Sequence, residues 1–156
     1  MTKALWGLDR LDLFRGLNAL ELQEIAKITN TVRYASGETV TDSGGESRDV
    51  YVLLDGNVDI ISLNGIPLYR IAPGETFGEL ALLSNLRRTA CALSRDDSWI
   101  LILNIGHLEK LGEVHPDIYK KVSGNLVRSL GIKLARANKL IELLKTELSK
   151  VMRNRG

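Results

Sequence analysis

A single cysteine, two histidines and three prolines are spread over the 156 residues. Cys91 alone cannot close a disulfide within the chain, so a disulfide framework is excluded and a cytoplasmic setting is expected. Cys91 falls in a β-favouring run and reads as a small core residue. Both histidines, His107 and His115, lie beyond the strand-rich region, which excludes the histidine-rich metal sites that β-barrels can carry. No Ser/His/Asp order and no helix-borne HxxxH pattern occurs, so the chain has no catalytic constellation and reads as a non-enzyme. Long hydrophobic runs are missing too. The longest, Trp99-Ile-Leu-Ile-Leu103, has the length of a buried strand and no membrane association is expected. Asp9, Arg10, Asp12 and Arg15 interrupt any signal-peptide core near the start.

What is present is ordinary for one globular domain over 1–156: 44% hydrophobic and 26% charged residues. Net charge is only +2, but residues 110–156 hold eleven basic and four acidic residues, so the C-terminal part is basic and the rest is acidic. Residues 1–30 read as an N-terminal helical segment, with Asn18 as N-cap and Leu20, Leu22, Ile25 and Ile28 as its apolar stripe. Over 31–104 the pattern changes to short strands at 31–35, 38–42, 49–54, 57–62, 66–71, 88–94 and 98–103. Ser36-Gly37, Ser43-Gly44-Gly45, Asp55-Gly56, Asn64-Gly65 and Asp96-Asp97 separate them, and this spacing predicts a β-sandwich or barrel.

The chemistry concentrates at 72–92. Pro73-Gly74 ends a strand, and Phe77-Gly78-Glu79 then opens an apolar segment, Leu80 to Leu83, about a turn and a half of helix. Amides at a helix start carry partial positive charge and suit an anion, and Gly78 lets a ligand approach the backbone. Arg87 and Arg88 follow, supplying a guanidinium to close on a phosphate. Glu79 would repel that phosphate unless it accepts from neutral hydroxyls on the same ligand, which a phosphate with an adjoining ribose provides.

Phe-Gly-Glu-Leu-Ala-Leu-Leu followed after three residues by Arg-Arg-Thr-Ala resembles the phosphate-binding cassette of the cyclic nucleotide-binding domain family, here 77–90. The resemblance implies a mainly β fold, a jelly-roll β-barrel (β-roll) with an N-terminal helix and a long C-terminal helix. It implies cyclic AMP or cyclic GMP as the ligand, with no separate cofactor. It also implies ligand-binding residues Phe77, Gly78, Glu79, Leu80, Ala81, Arg88, Thr89 and Ala90: Glu79 on the ribose 2′-hydroxyl, Arg88 on the cyclic phosphate and Thr89 beside it. Arg87 stands where many members have proline, a form similar to the family's channel branch.

From 105 to 156 helical periodicity returns. Ile105–Val114 reads as one helix, and Pro116 and Asp117 begin another. Ile118, Val122, Leu126 and Leu130 recur every four residues; thereafter Leu130, Leu134, Ala137, Ile141, Leu144, Leu148 and Val151 follow a heptad. A parallel homodimer through this seam is expected over a helix lying along its own barrel, because Leu140 and Met152 widen the apolar stripe. Gly124 and Gly131 mark a potential hinge, since glycine weakens a helix by roughly 1 kcal/mol. The resemblance places nucleobase contacts at Lys133 and Leu134, neither of which has the hydroxyl used in the family's activator branch.

Three functions fit these features. The first is a cyclic nucleotide sensor module passing its signal through the C-terminal helices to an effector protein. The second is a transcription regulator of the activator class, lacking or separated from its DNA-binding domain. Only six residues follow Lys150, so no helix-turn-helix and no specific nucleic acid contact is expected within this sequence. The third is a dimeric scaffold that has lost its ligand, against which both Glu79 and Arg88 argue.

Overall fold

The alternating, glycine-punctuated stretch forms eight strands in the computed structural model, which describes residues 7–41, 47–83 and 87–155. They are β1 Thr29–Tyr34, β2 Thr39–Thr41, β3 Asp49–Asp55, β4 Val58–Ser62, β5 Pro67–Ile71, β6 Thr76–Phe77, β7 Ala90–Ser94 and β8 Ser98–Asn104. They make two antiparallel four-stranded sheets, ordered β1-β8-β3-β6 and β2-β7-β4-β5. The helices are α1 Ala19–Lys27, α2 Ile105–Val114 and α3 Pro116–Arg153. This is the expected β-roll with an N-terminal helix and a long C-terminal one. The Ser43-Gly44-Gly45 turn and residue 42 of the second predicted strand lie outside the described residues.

The first sheet is covered on both faces, which accounts for its continuous apolar run. Val50 and Val52 of β3 and Leu101 and Leu103 of β8 pack outward on the helices, with Phe14, Ile25, Leu108, Ile118, Val122 and Leu126. Tyr51, Leu53 and Ile100 point the other way, between the sheets, onto Val58, Ile60, Ile71, Phe77 and Ala92. At the β3–β4 hairpin Gly56 has φ +98°, and a Cβ there would lie 2.4 Å from Ser98 Oγ, so both the turn and the packing require glycine. Cys91 is half-buried on β7, an inner strand of the second sheet.

Three local expectations are corrected. The expected helical segment 1–30 is not one helix: residues 1–6 lie outside the described residues, short 3-10 turns at Leu8–Arg10 and Asp12–Phe14 precede α1, and β1 begins at Thr29. Gly7 and Gly16 have φ +110° and +88°, outside helical space, while Asn18 starts α1 with a full capping box to Glu21. The segment after Gly78 is a 3-10 turn, Glu79–Leu82, not an α-helical turn. The strand after Arg88 begins at Ala90.

Ile118, Val122 and Leu126 anchor α3 to the roll. Lys121 Nζ pairs with Glu21 at 2.9 Å, and Asn125 Nδ2 donates to the carbonyls of Leu13 and Arg15 at 2.9 Å each, tying the N-terminal turns to α3. The helix passes through Gly124 and Gly131 without interruption.

Buried Asp59 on β4 holds Arg70 of β5 at 2.8 Å and Arg95 at 2.6 Å. The Arg70 hydrogen bond, seconded by that of Arg95, outweighs burial and lowers the Asp59 pKa. A carboxyl with a depressed folded pKa stabilises the fold above its unfolded pKa and loses that contribution as pH falls through the folded value. Below the ordinary aspartate value of about 3.9, the parent should therefore lose stability faster than Asp59→Asn. Urea midpoints at pH 6 and pH 3 check this; equal losses in the two proteins would refute it.

Candidate functional site

Pairing of β6 with β3 sets Phe77 opposite Tyr51, and their rings stack with centroids 5.1 Å apart. Gly78 follows with φ +77° and turns the chain into Glu79–Leu82. A Cβ at Gly78 would lie 2.9 Å from an Arg88 guanidinium nitrogen and 3.0 Å from the Tyr51 ring, so glycine is needed for the guanidinium to lie there. The amides of Glu79 and Leu80 precede the first turn bond, Ala81 N–H to the Gly78 carbonyl at 3.0 Å.

Arg88 is half-buried. Its Nη2 donates to the Asp49 carbonyl at 2.8 Å and the Ser47 carbonyl at 3.3 Å, and its guanidinium carbon sits 5.3 Å from the Tyr51 ring centroid. Among the described residues no carboxylate pairs with it. Neutral dipoles and an aromatic face hold this cation in place and leave donors for an anion. Burial raises the Tyr51 pKa, with the Arg88 charge opposing, so the ring beside the guanidinium stays neutral.

Glu79 is 4% exposed. One of its oxygens, Oε1, accepts from Ser129 Oγ at 2.6 Å and from Lys133 Nζ at 2.6 Å; the same ammonium also donates to the Thr76 carbonyl at 2.5 Å. The other, Oε2, has no hydrogen bond among the described residues. Two of the N–H and O–H donors on this carboxylate therefore come from α3.

The structure thus gathers Phe77, Gly78, Glu79, Leu80, Ala81 and Arg88 around one turn, with Phe77 and Ala81 buried and Leu80 half-buried. Ala90 opens β7, while Thr89 and Arg87 are exposed. Cassette residues 84–86 lie outside the described residues. Lys133 binds Glu79 directly, and Leu134 is 64% exposed. Ser129 was not singled out in the sequence. Its signal was the barrel-facing row: continuing Val122 and Leu126 by alternate steps of three and four reaches Ser129 and Lys133.

The β-roll thus presents a glycine-opened turn, a guanidinium with no carboxylate partner among the described residues and a buried carboxylate close together. Residues 31–115 match the cyclic nucleotide-binding domain family, and the chain belongs to that family. A Thermus thermophilus catabolite activator protein is 28% identical with a TM-score of 0.70, over 86% of this chain and 63% of that one. A cyclic nucleotide-binding domain from Methylobacillus flagellatus shares the fold at TM-score 0.77 and 17% identity, over 90% and 81% of the two chains. Glutaminase 2 of Bradyrhizobium diazoefficiens is 28% identical over 132 residues, covering 85% of this chain, which spans only 21% of that protein's length. No helix among the described residues is long and apolar enough to cross a membrane.

Proposed function

We propose that this chain is a cyclic nucleotide sensor, a non-enzymatic module that binds cyclic AMP or cyclic GMP and passes the event to α3. In this reading Arg88 and the amides after Gly78 take the cyclic phosphate, and Glu79 Oε2 accepts from the ribose 2′-hydroxyl. The observation that carries the proposal is the division of labour on Glu79. One oxygen is held by Ser129 and Lys133 of α3, and the other makes no hydrogen bond among the described residues. A hydroxyl on Oε2 changes the charge that Ser129 and Lys133 meet on Oε1, so ligand and helix position share one carboxylate. Ligand shifts the helix only as far as its affinity differs between helix arrangements.

The seam beyond the roll supports the homodimer. Leu134, Ile141, Leu144, Leu148 and Val151 are 48% to 64% exposed along one helix, an apolar stripe that a partner copy would cover. A dimer of this kind would carry the change in α3 to an effector protein. The scaffold reading is less favoured, since a scaffold has no use for an arginine without a carboxylate beside a buried glutamate.

The sugar tests the site. A 2′-deoxy cyclic nucleotide should bind the parent about 1.5–3 kcal/mol more weakly, the worth of a hydrogen bond to a charged acceptor. In Glu79→Gln that difference should shrink. Calorimetric titration gives both numbers; equal affinity of the parent for both sugars would leave Glu79 serving α3 alone.

A further inference from the structure

A cavity of about 310 Å³ lies on the flank of α3, between the N-terminal 3-10 turns and the turn from β5 to β6. It borders the cassette but contains neither Arg88 nor Glu79. Five cations face it: Arg10 and Arg15 from the N-terminal turns, and Arg128, Lys133 and Arg136 from α3. Three are already neutralised. Asp12 pairs with Arg15 at 2.5 Å, Glu75 with Arg136 at 3.5 Å and Glu79 with Lys133 at 2.6 Å. Arg10 and Arg128 have no ion pair among the described residues, so the cavity carries two uncompensated positive charges.

Its walls are fixed to one another. Asn125, also in the lining, donates from α3 to the carbonyls of Leu13 and Arg15, holding the segment that carries Arg10 against the helix that carries Arg128. Two guanidiniums from separate elements, both lining one concave space, suit a multiply charged anion with several acceptor oxygens. The volume sits near the lower end of small-molecule pockets, about 300–1,000 Å³, so a phosphate with a small organic group fits.

We propose that this cavity is a second anion site, one that takes small multiply charged phosphates and is separate from the cassette. Arg10 from the N-terminal turns and Arg128 from α3 take the phosphate, and the ion pairs of Arg15 and Arg136 keep those two guanidiniums from competing for it. This site does not depend on the cyclic nucleotide reading.

Inorganic pyrophosphate is the probe. It should bind the parent and Arg88→Ala with the same affinity at one site per chain, and at least about tenfold more weakly to Arg10→Gln/Arg128→Gln, which loses both charge-assisted contacts. Both arginines are exposed, and circular dichroism checks that the double variant is folded. Cyclic nucleotide titration of the same double variant separates the two readings, because its cassette is intact. Absence of saturable pyrophosphate binding to the parent would overturn the proposal. So would binding that is lost in Arg88→Ala and kept in the double variant, since the anion would then sit in the cassette.

Discussion

Arg88→Ala should weaken cyclic nucleotide binding by about 2–5 kcal/mol, because it leaves a partly desolvated phosphate charge without its partner. The parent guanidinium is already set in place by the Asp49 and Ser47 carbonyls and the Tyr51 ring, so little ordering cost falls on the ligand. Arg88→Lys should recover only part of the loss: an ammonium reaches the phosphate as a point charge and cannot serve the carbonyls and the anion with one planar fork. Removing the side chain opens space beside Gly78 and uncovers one face of the Tyr51 ring, but Arg88 is not itself a member of either core cluster, so the variant should stay folded. Calorimetry on a folded Arg88→Ala checks the expectation, and unchanged affinity would remove Arg88 from the site.

Ile141→Glu should convert a homodimer into a monomer. In the proposed parallel seam the two copies of residue 141 face each other, and two like charges taken out of water there cost several kcal/mol per ion. Ile141 is 50% exposed in the single chain, so the substitution costs the monomer almost nothing and the roll should keep its fold. Cyclic nucleotide binding should survive, because Ser129 and Lys133 reach Glu79 within one chain. Sedimentation of the parent and the variant decides the matter. A parent that runs as a monomer at every concentration would refute the seam and leave its exposed leucines to another partner.

The elements legible in the sequence were those with a strong period. The Ile105–Val114 helix was read to the residue, and α3 within a few, because apolar positions recur at helical spacing and Pro116 fixes the start. Strands β3, β4 and β8 were located by alternation bounded by glycine and aspartate turns. The short pieces escaped. At two residues β6 cannot display alternation, and the N-terminal 3-10 turns bury Leu8, Leu11, Leu13 and Phe14 at a spacing that imitates an α-helix.

The candidate site divided in the same way. Glu79 and Arg88 were legible because the cassette is continuous in sequence and its spacing is rigid. Ser129 was not, since its pairing with Glu79 spans fifty residues and depends on how far α3 rolls against the sheet. The resemblance put Lys133 at a nucleobase position; in the structure its ammonium pairs with the buried Glu79 carboxylate, fifty-four residues away along the chain, a partner that spacing does not display.

A nucleotide between Arg88 and Glu79 should be felt by α3 through a single carboxylate. Amide hydrogen exchange, with and without saturating cyclic AMP or cyclic GMP, tests it most directly. Exchange should slow at two places at once: the turn from Gly78 to Leu83, and α3 from Ser129 to Arg136. Protection confined to the turn, with α3 unchanged under either ligand, would contradict it.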